Sequence, residues 1–199
     1  MVETTGNGPQ SGIDRNRTYI SFSADIDATT TEGLIAVLAN CANEGVREVY
    51  LMLSTPGGTV SSGMTLYNTL RAMPFRLITH NMGNVDSIGN AIFLAGEERY
   101  ACPHSTFMFH GVGFEVPTGQ RFEEKALREH LDSILSDSRR IGAIIAGRTK
   151  IDSDEIAKFF QEARTVDAAY AASHGIIDEI RDLLIPPGSG IITLTFPRW

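Results

Sequence analysis

Three short stretches carry groups able to do acyl chemistry. One is Ser54-Thr55-Pro56-Gly57-Gly58, a tight turn that ends the apolar run 49–53. Paired glycines let the backbone approach a ligand closely and turn an N–H outward, which suits an oxyanion hole. The same Pro-Gly-Gly also serves as a plain turn. A second stretch is Gly83-Asn84-Val85-Asp86-Ser87-Ile88-Gly89-Asn90, which puts Ser87 at the entrance to an apolar helix. A hydroxyl there is either a helix cap or a nucleophile, with the Ile88 N–H beside it as an oxyanion donor. The third is Thr106-Phe107-Met108-Phe109-His110, a short strand that ends in histidine before the Gly111-Val112-Gly113 turn. A strand-end histidine is commonly structural or merely exposed. Neutral imidazole is nevertheless the side chain best placed to deprotonate a serine near neutral pH.

The elements that must position these groups follow from pattern. Residues 18–24 alternate as a first strand, and Thr30 or Thr31 caps a helix striped by Leu34, Ile35, Leu38 and Cys41. That helix stops near Gly45, ahead of the buried strand 49–53. A second helix over 61–72 turns Met64, Leu66, Tyr67 and Leu70 inward, and Pro74 separates it from a strand over 75–79. One long helix spans about 119–148, with apolar residues at helical spacing among many charges; its length lets it protrude and pair with a neighbour. A short helix opens at residues 151–155 with an acidic first turn that suits the macrodipole, and 165–173 reads as helical. The Pro-Pro-Gly-rich stretch 185–190 breaks the pattern before 191–199, a strand or docking segment. Strands alternating with helices point to an α/β fold with a mainly parallel sheet.

Bulk properties narrow the function classes. A chain of 199 residues with 42% hydrophobic and 21% charged residues reads as one globular domain with a sizeable core. A net charge of −7 argues against nucleic acid or an anionic membrane as the main partner. Cys41 and Cys102 lack CxxC spacing and read as reduced, buried thiols, with neither disulfide nor metal site. No apolar run approaches the roughly 18–20 residues of a membrane span. Residues 1–17 lack a signal core and read as a flexible arm, so a cytoplasmic location is expected.

In these motifs the chain resembles the ClpP family, the proteolytic subunits of the ATP-dependent Clp protease. The resemblance covers roughly residues 18–180. Ser54-Thr55-Pro56-Gly57-Gly58 matches the family's SPGG strand end, and Gly63-Met64-Thr65-Leu66-Tyr67-Asn68-Thr69 matches G-x-x-I-Y-D-T. The run from Gly83 to Gly89 matches G-x-A-A-S-M-G, and that from Pro103 to His110 matches P-x-S-x-x-M-I-H. Gly119-Gln120 opens the long "handle" helix, and His174-Gly175-Ile176-Ile177-Asp178 matches Y-G-L-I-D. The resemblance implies a crotonase-type α/β fold of repeated β-β-α units. It also implies serine endopeptidase activity on unfolded chains or short peptides, with Ser87 as nucleophile and His110 as base. Gly58 and Ile88 would form the oxyanion hole, without cofactor or metal. It further implies heptameric rings stacked in pairs, fed by an AAA+ unfoldase.

The family's acid is not matched in register. Laid on without gaps, its R-D-x-F stretch puts Ala163 at the aspartate position, with Glu162 adjacent and Asp167 a helical turn further on. A one-residue shift makes Glu162 the substitute acid, and Asp86 is another candidate. Without an acid, nothing fixes the tautomer of His110. The alternatives are a catalytically impaired ring subunit that needs an active partner, and a crotonase-like enzyme acting on acyl-CoA. The arm lacks the apolar docking residues of the family, the connection after His110 is one residue longer, and residues 185–199 form a C-terminal extension.

Overall fold

The apolar run that ends at the Pro-Gly-Gly turn lies within β2 (Glu48–Thr55), where Val49 to Leu53 are all buried. Burial on both faces is the condition of a central strand in a parallel sheet. The computed structural model describes residues 16–114, 116, 118–119 and 121–196. In it β2 lies between β1 (Arg17–Ser23) and β3 (Arg76–Asp86), parallel to both. The sheet continues through β5 (Thr106–Phe109) to β6 (Arg164–Asp167) on one side and to β8 (Gly190–Thr193) beside β1 on the other. A short branch, β4 (Glu98–Ala101) and β7 (Glu179–Ile180), pairs with the first half of β3. Among the described residues only the β5–β6 pair is antiparallel. The fold is α/β with a mainly parallel sheet.

Helices α1 (Ala28–Asn43), α2 (Val60–Ala72) and α3 (Gly89–Phe93) enclose the main core. The cap of α1 is Asp27, not Thr30 or Thr31. Its carboxylate accepts from the Thr30 N–H while Thr30 Oγ1 accepts from the Asp27 N–H, which leaves both threonines inside the first turn. The third strand is also longer than the expected 75–79: it runs on to Asp86, and its second half pairs with β5.

The long helix α4 occupies Glu124–Arg148, five residues later than its expected start. Gly119 has φ +81°, outside helical space, and the first turn begins only after Glu123. Ile141 and Ile145 anchor its C-terminal half, which meets α5 (Ser153–Glu162). Residues 164–167 pair with β5 as a strand, so the helix expected over 165–173 is the shorter α6 (Ala168–Ser173), capped by Asp167.

The arm expected over 1–17 lies outside the described residues as far as residue 15, and Arg17 already belongs to β1. The C-terminal stretch supplies β8, buries Leu194 and sets Phe196 edge-on to Phe22; residues 197–199 lie outside the described residues. Leu183 and Ile185 cover a second apolar cluster, Tyr19, Tyr50, Met52, Ile78 and Tyr100, on the other side of the sheet. Both cysteines are free; Cys41 is buried, whereas Cys102 is only half-buried. Burial pushes both thiols up. No described helix is long and apolar enough to cross a membrane.

Candidate active site

The site lies where β3 and β5 end. Strand β3 stops at Asp86, α3 starts at Gly89, and between them Ser87 takes φ +56°. A left-handed conformation costs a non-glycine residue about 1–2 kcal/mol. Three contacts hold it. The Ser87 N–H donates to the Met108 carbonyl (2.8 Å), and Asn90 Nδ2 donates to the carbonyls of Ser87 (3.0 Å) and Met108 (2.7 Å). Asn90 is buried, so it ties the sharp strand-to-helix turn to the neighbouring strand from within. Opposite the turn, a Cβ on Gly57 would sit 2.6 Å from Ser87 Cβ, so only glycine leaves room for the serine.

The Pro-Gly-Gly segment is pinned from its other side. The Ile26 N–H donates to the Gly57 carbonyl (2.7 Å), and the Thr59 N–H donates to the Ile26 carbonyl (2.7 Å). Gly58 bridges to Ile26 in a parallel sense at φ +147°, and a Cβ there would lie 2.2 Å from the Ile26 carbonyl oxygen. Among the described residues, neither the Gly58 nor the Ile88 N–H donates to a protein acceptor.

His110 follows β5 directly. Phe107 and Phe109 are buried, against Phe93 (5.0 Å between ring centroids) and Phe159 (5.1 Å), and strand alternation leaves His110 exposed. Ser87, Ile88, Gly58 and His110 all line one cavity of about 100 Å³. Val60 and Phe160, with Ile141 and Ile145 from the base of α4, add an apolar wall. Ser87 Oγ makes no hydrogen bond to His110 among the described residues; such bonds commonly tighten only around substrate.

The candidate acids are not joined to His110. The β5–β6 ladder ends at the Phe109–Arg164 pair, with His110 and Ala163 the next residue beyond it on each side, and the Ala163 methyl group accepts nothing. Glu162 is the exposed last residue of α5. Asp167 pairs with Thr106 at the far end of the ladder and spends its carboxylate on the Tyr170 N–H (2.8 Å). Asp86 accepts from Asn84 Nδ2 (2.8 Å), and Asn84 also contacts Ser54 and Thr55. His110 Nδ1 instead meets the Gly111 carbonyl oxygen at 2.7 Å. Among the described residues no cluster of His, Cys, Asp and Glu is arranged to hold a metal ion.

A scan against family models matches residues 10–183 to the Clp protease family, which spans every group of the site. The chain is a member of the Clp protease family. Curated relatives in it are similar along most of their length. "ATP-dependent Clp protease proteolytic subunit 1" of Leifsonia xyli subsp. xyli is 26% identical over 168 residues, covering 82% of this chain and 83% of the relative. Subunit 2 of Corynebacterium efficiens is 26% identical over 171 residues, covering 84% of each. A peptidase family fits a serine hydroxyl, an imidazole and two amides without a protein acceptor among the described residues, all around one cavity. Sequence reasoning did not single out Asn90, although an amide side chain inside an apolar helix three residues after the serine was a readable signal.

Proposed function

We propose that this chain is a Clp-type serine endopeptidase that hydrolyses unfolded polypeptides or short peptides. The observation that carries the reading is the convergence of Ser87, His110 and the two unpartnered amides of Gly58 and Ile88 on one cavity. His110 would take the Ser87 hydroxyl proton as Oγ attacks the scissile carbonyl carbon. The Gly58 and Ile88 amides would hold the resulting oxyanion. His110 then returns the proton to the leaving nitrogen, and the C–N bond breaks to leave an ester on Ser87. Water, deprotonated by the same imidazole, attacks that ester and frees the new carboxylate. The segment after His110 would hold an extended peptide mainly by backbone hydrogen bonds, giving little side-chain selectivity.

Both relatives are named subunits of an ATP-dependent protease, which supports a chain working with an ATP-driven AAA+ unfoldase. Exposed Leu127, Leu131 and Leu135 on α4 support assembly into rings, of the heptameric, paired kind that the family resemblance implies. One observation favours a second reading, an impaired subunit dependent on a complete partner: the residue next to the end of the β5–β6 ladder, where His110 leaves β5, is Ala163 and not a carboxylate.

The deciding experiment is labelling of the pure protein with a serine-reactive fluorophosphonate, read by intact mass beside Ser87→Ala. One adduct, absent from the variant, is the expected outcome. An unlabelled parent that still assembles would overturn autonomous activity and leave the partner-dependent subunit.

A further inference from the structure

We propose that the main-chain carbonyl of Gly111 is the positioning group for His110, in the place of a carboxylate. The inference rests on the reading of His110 as the base. A carbonyl oxygen only accepts, so the 2.7 Å contact requires the proton on Nδ1. Nε2 then keeps its lone pair, which is the form a general base needs. The tautomer is therefore set by the residue after the histidine, with no distant acid involved.

The carbonyl is itself held in place. The Gly111 backbone presses on α5 so closely that a Cβ at this position would lie 2.6 Å from the Phe160 carbonyl oxygen. Beside it, Phe109 stacks on Phe159 of the same helix. Glycine at 111 thus lets the chain turn against α5 and aim its carbonyl back at the imidazole. Ala163 cannot compete for Nδ1, and Glu162, Asp86 and Asp167 make no bond to it among the described residues. A neutral dipole orients the ring but answers the imidazolium charge less fully than a carboxylate does.

Two measurements test this. In protein labelled with ¹⁵N-histidine, the His110 signals, assigned by their loss in His110→Gln, should report protonated Nδ1 and bare Nε2 at pH 7.5. A dominant Nε2–H form would overturn the proposal, and this readout needs no peptidase activity. The second measurement is the fluorophosphonate labelling rate. Gly111→Ala should slow labelling by about 10²-fold or more, within the range that general-base catalysis supplies. Adding Ala163→Asp to that variant should recover part of the rate and return the Nδ1–H signature. Gly111→Ala that keeps its fold, the parent tautomer and the parent labelling rate would overturn the proposal. If the parent itself is unlabelled yet shows the Nδ1–H form, the peptidase reading fails while the positioning role stands.

Discussion

His80 shows what a single residue contributes away from the site. It is fully buried between the Tyr50 hydroxyl, 2.7 Å from Nδ1, and the Arg181 carbonyl, 3.1 Å from Nε2. Cys102 Sγ lies 3.6 Å from the same Nε2, and the Arg181 guanidinium stacks over Tyr100. Burial above all, with the Arg181 charge adding to it and Asp182 opposing it, pulls the imidazole down to about 4. The neutral ring donates from Nε2 to Arg181 and accepts from Tyr50 at Nδ1. Unfolded histidine binds its proton near pH 6.5, so the unfolded state takes up the proton first as pH falls. The contribution of His80 is therefore full above about pH 6.5 and is lost progressively toward pH 4, a total of about 3 kcal/mol. Urea midpoints measured from pH 7 to 4.5 should fall more steeply in the parent than in His80→Gln; equal slopes would refute the assignment. None of this was legible locally, because the partners of His80 lie 30 and 101 residues away. Ser87 and His110 were legible because each stands at a strand end beside its own turn glycines.

At the scale of elements, α4 divides into two halves with different surroundings. Ile141 and Ile145 are buried against the core, whereas Leu127, Leu131 and Leu135 repeat every four residues at 50%, 53% and 50% exposure. A leucine stripe left in water on a charged helix is the kind of surface that the proposed ring assembly would cover. Leu131→Lys should leave the thermal midpoint within a few degrees of the parent, because the residue lies outside the core, while lowering the mass seen by light scattering if the proposed assembly uses this face. An unchanged mass would remove this stripe from the assembly surface. Helical periodicity made α4 readable from sequence, but its start was not, since Gly119 belongs to a turn. Residues 165–167 misled for another reason: their strand exists only through pairing with β5, more than fifty positions earlier, and pairing outweighs local propensity. The same ladder ends at Phe109–Arg164, with His110 and Ala163 the next residue on each side.

The whole molecule is closed by its C-terminal stretch. Strand β8 covers one edge of β1, the Leu194 N–H donates to the Ser21 carbonyl (3.1 Å), and Leu183 and Ile185 cover the tyrosine-rich cluster. The sequence left residues 191–199 open between a strand and a docking segment; β8 is a strand, whereas Leu194 and Phe196 dock. Removing residues 186–199 should lower the thermal midpoint by several degrees and bring on light scattering before unfolding is complete, because an unpaired edge invites another strand. A truncated chain as stable and as monodisperse as the parent would show the edge to be covered by other means. Thr18 and Gly190 are ladder neighbours, so β1 gains its β8 partner only after the whole stretch between them has been made. A nascent chain stalled before Gly190 therefore carries β1 with that edge open.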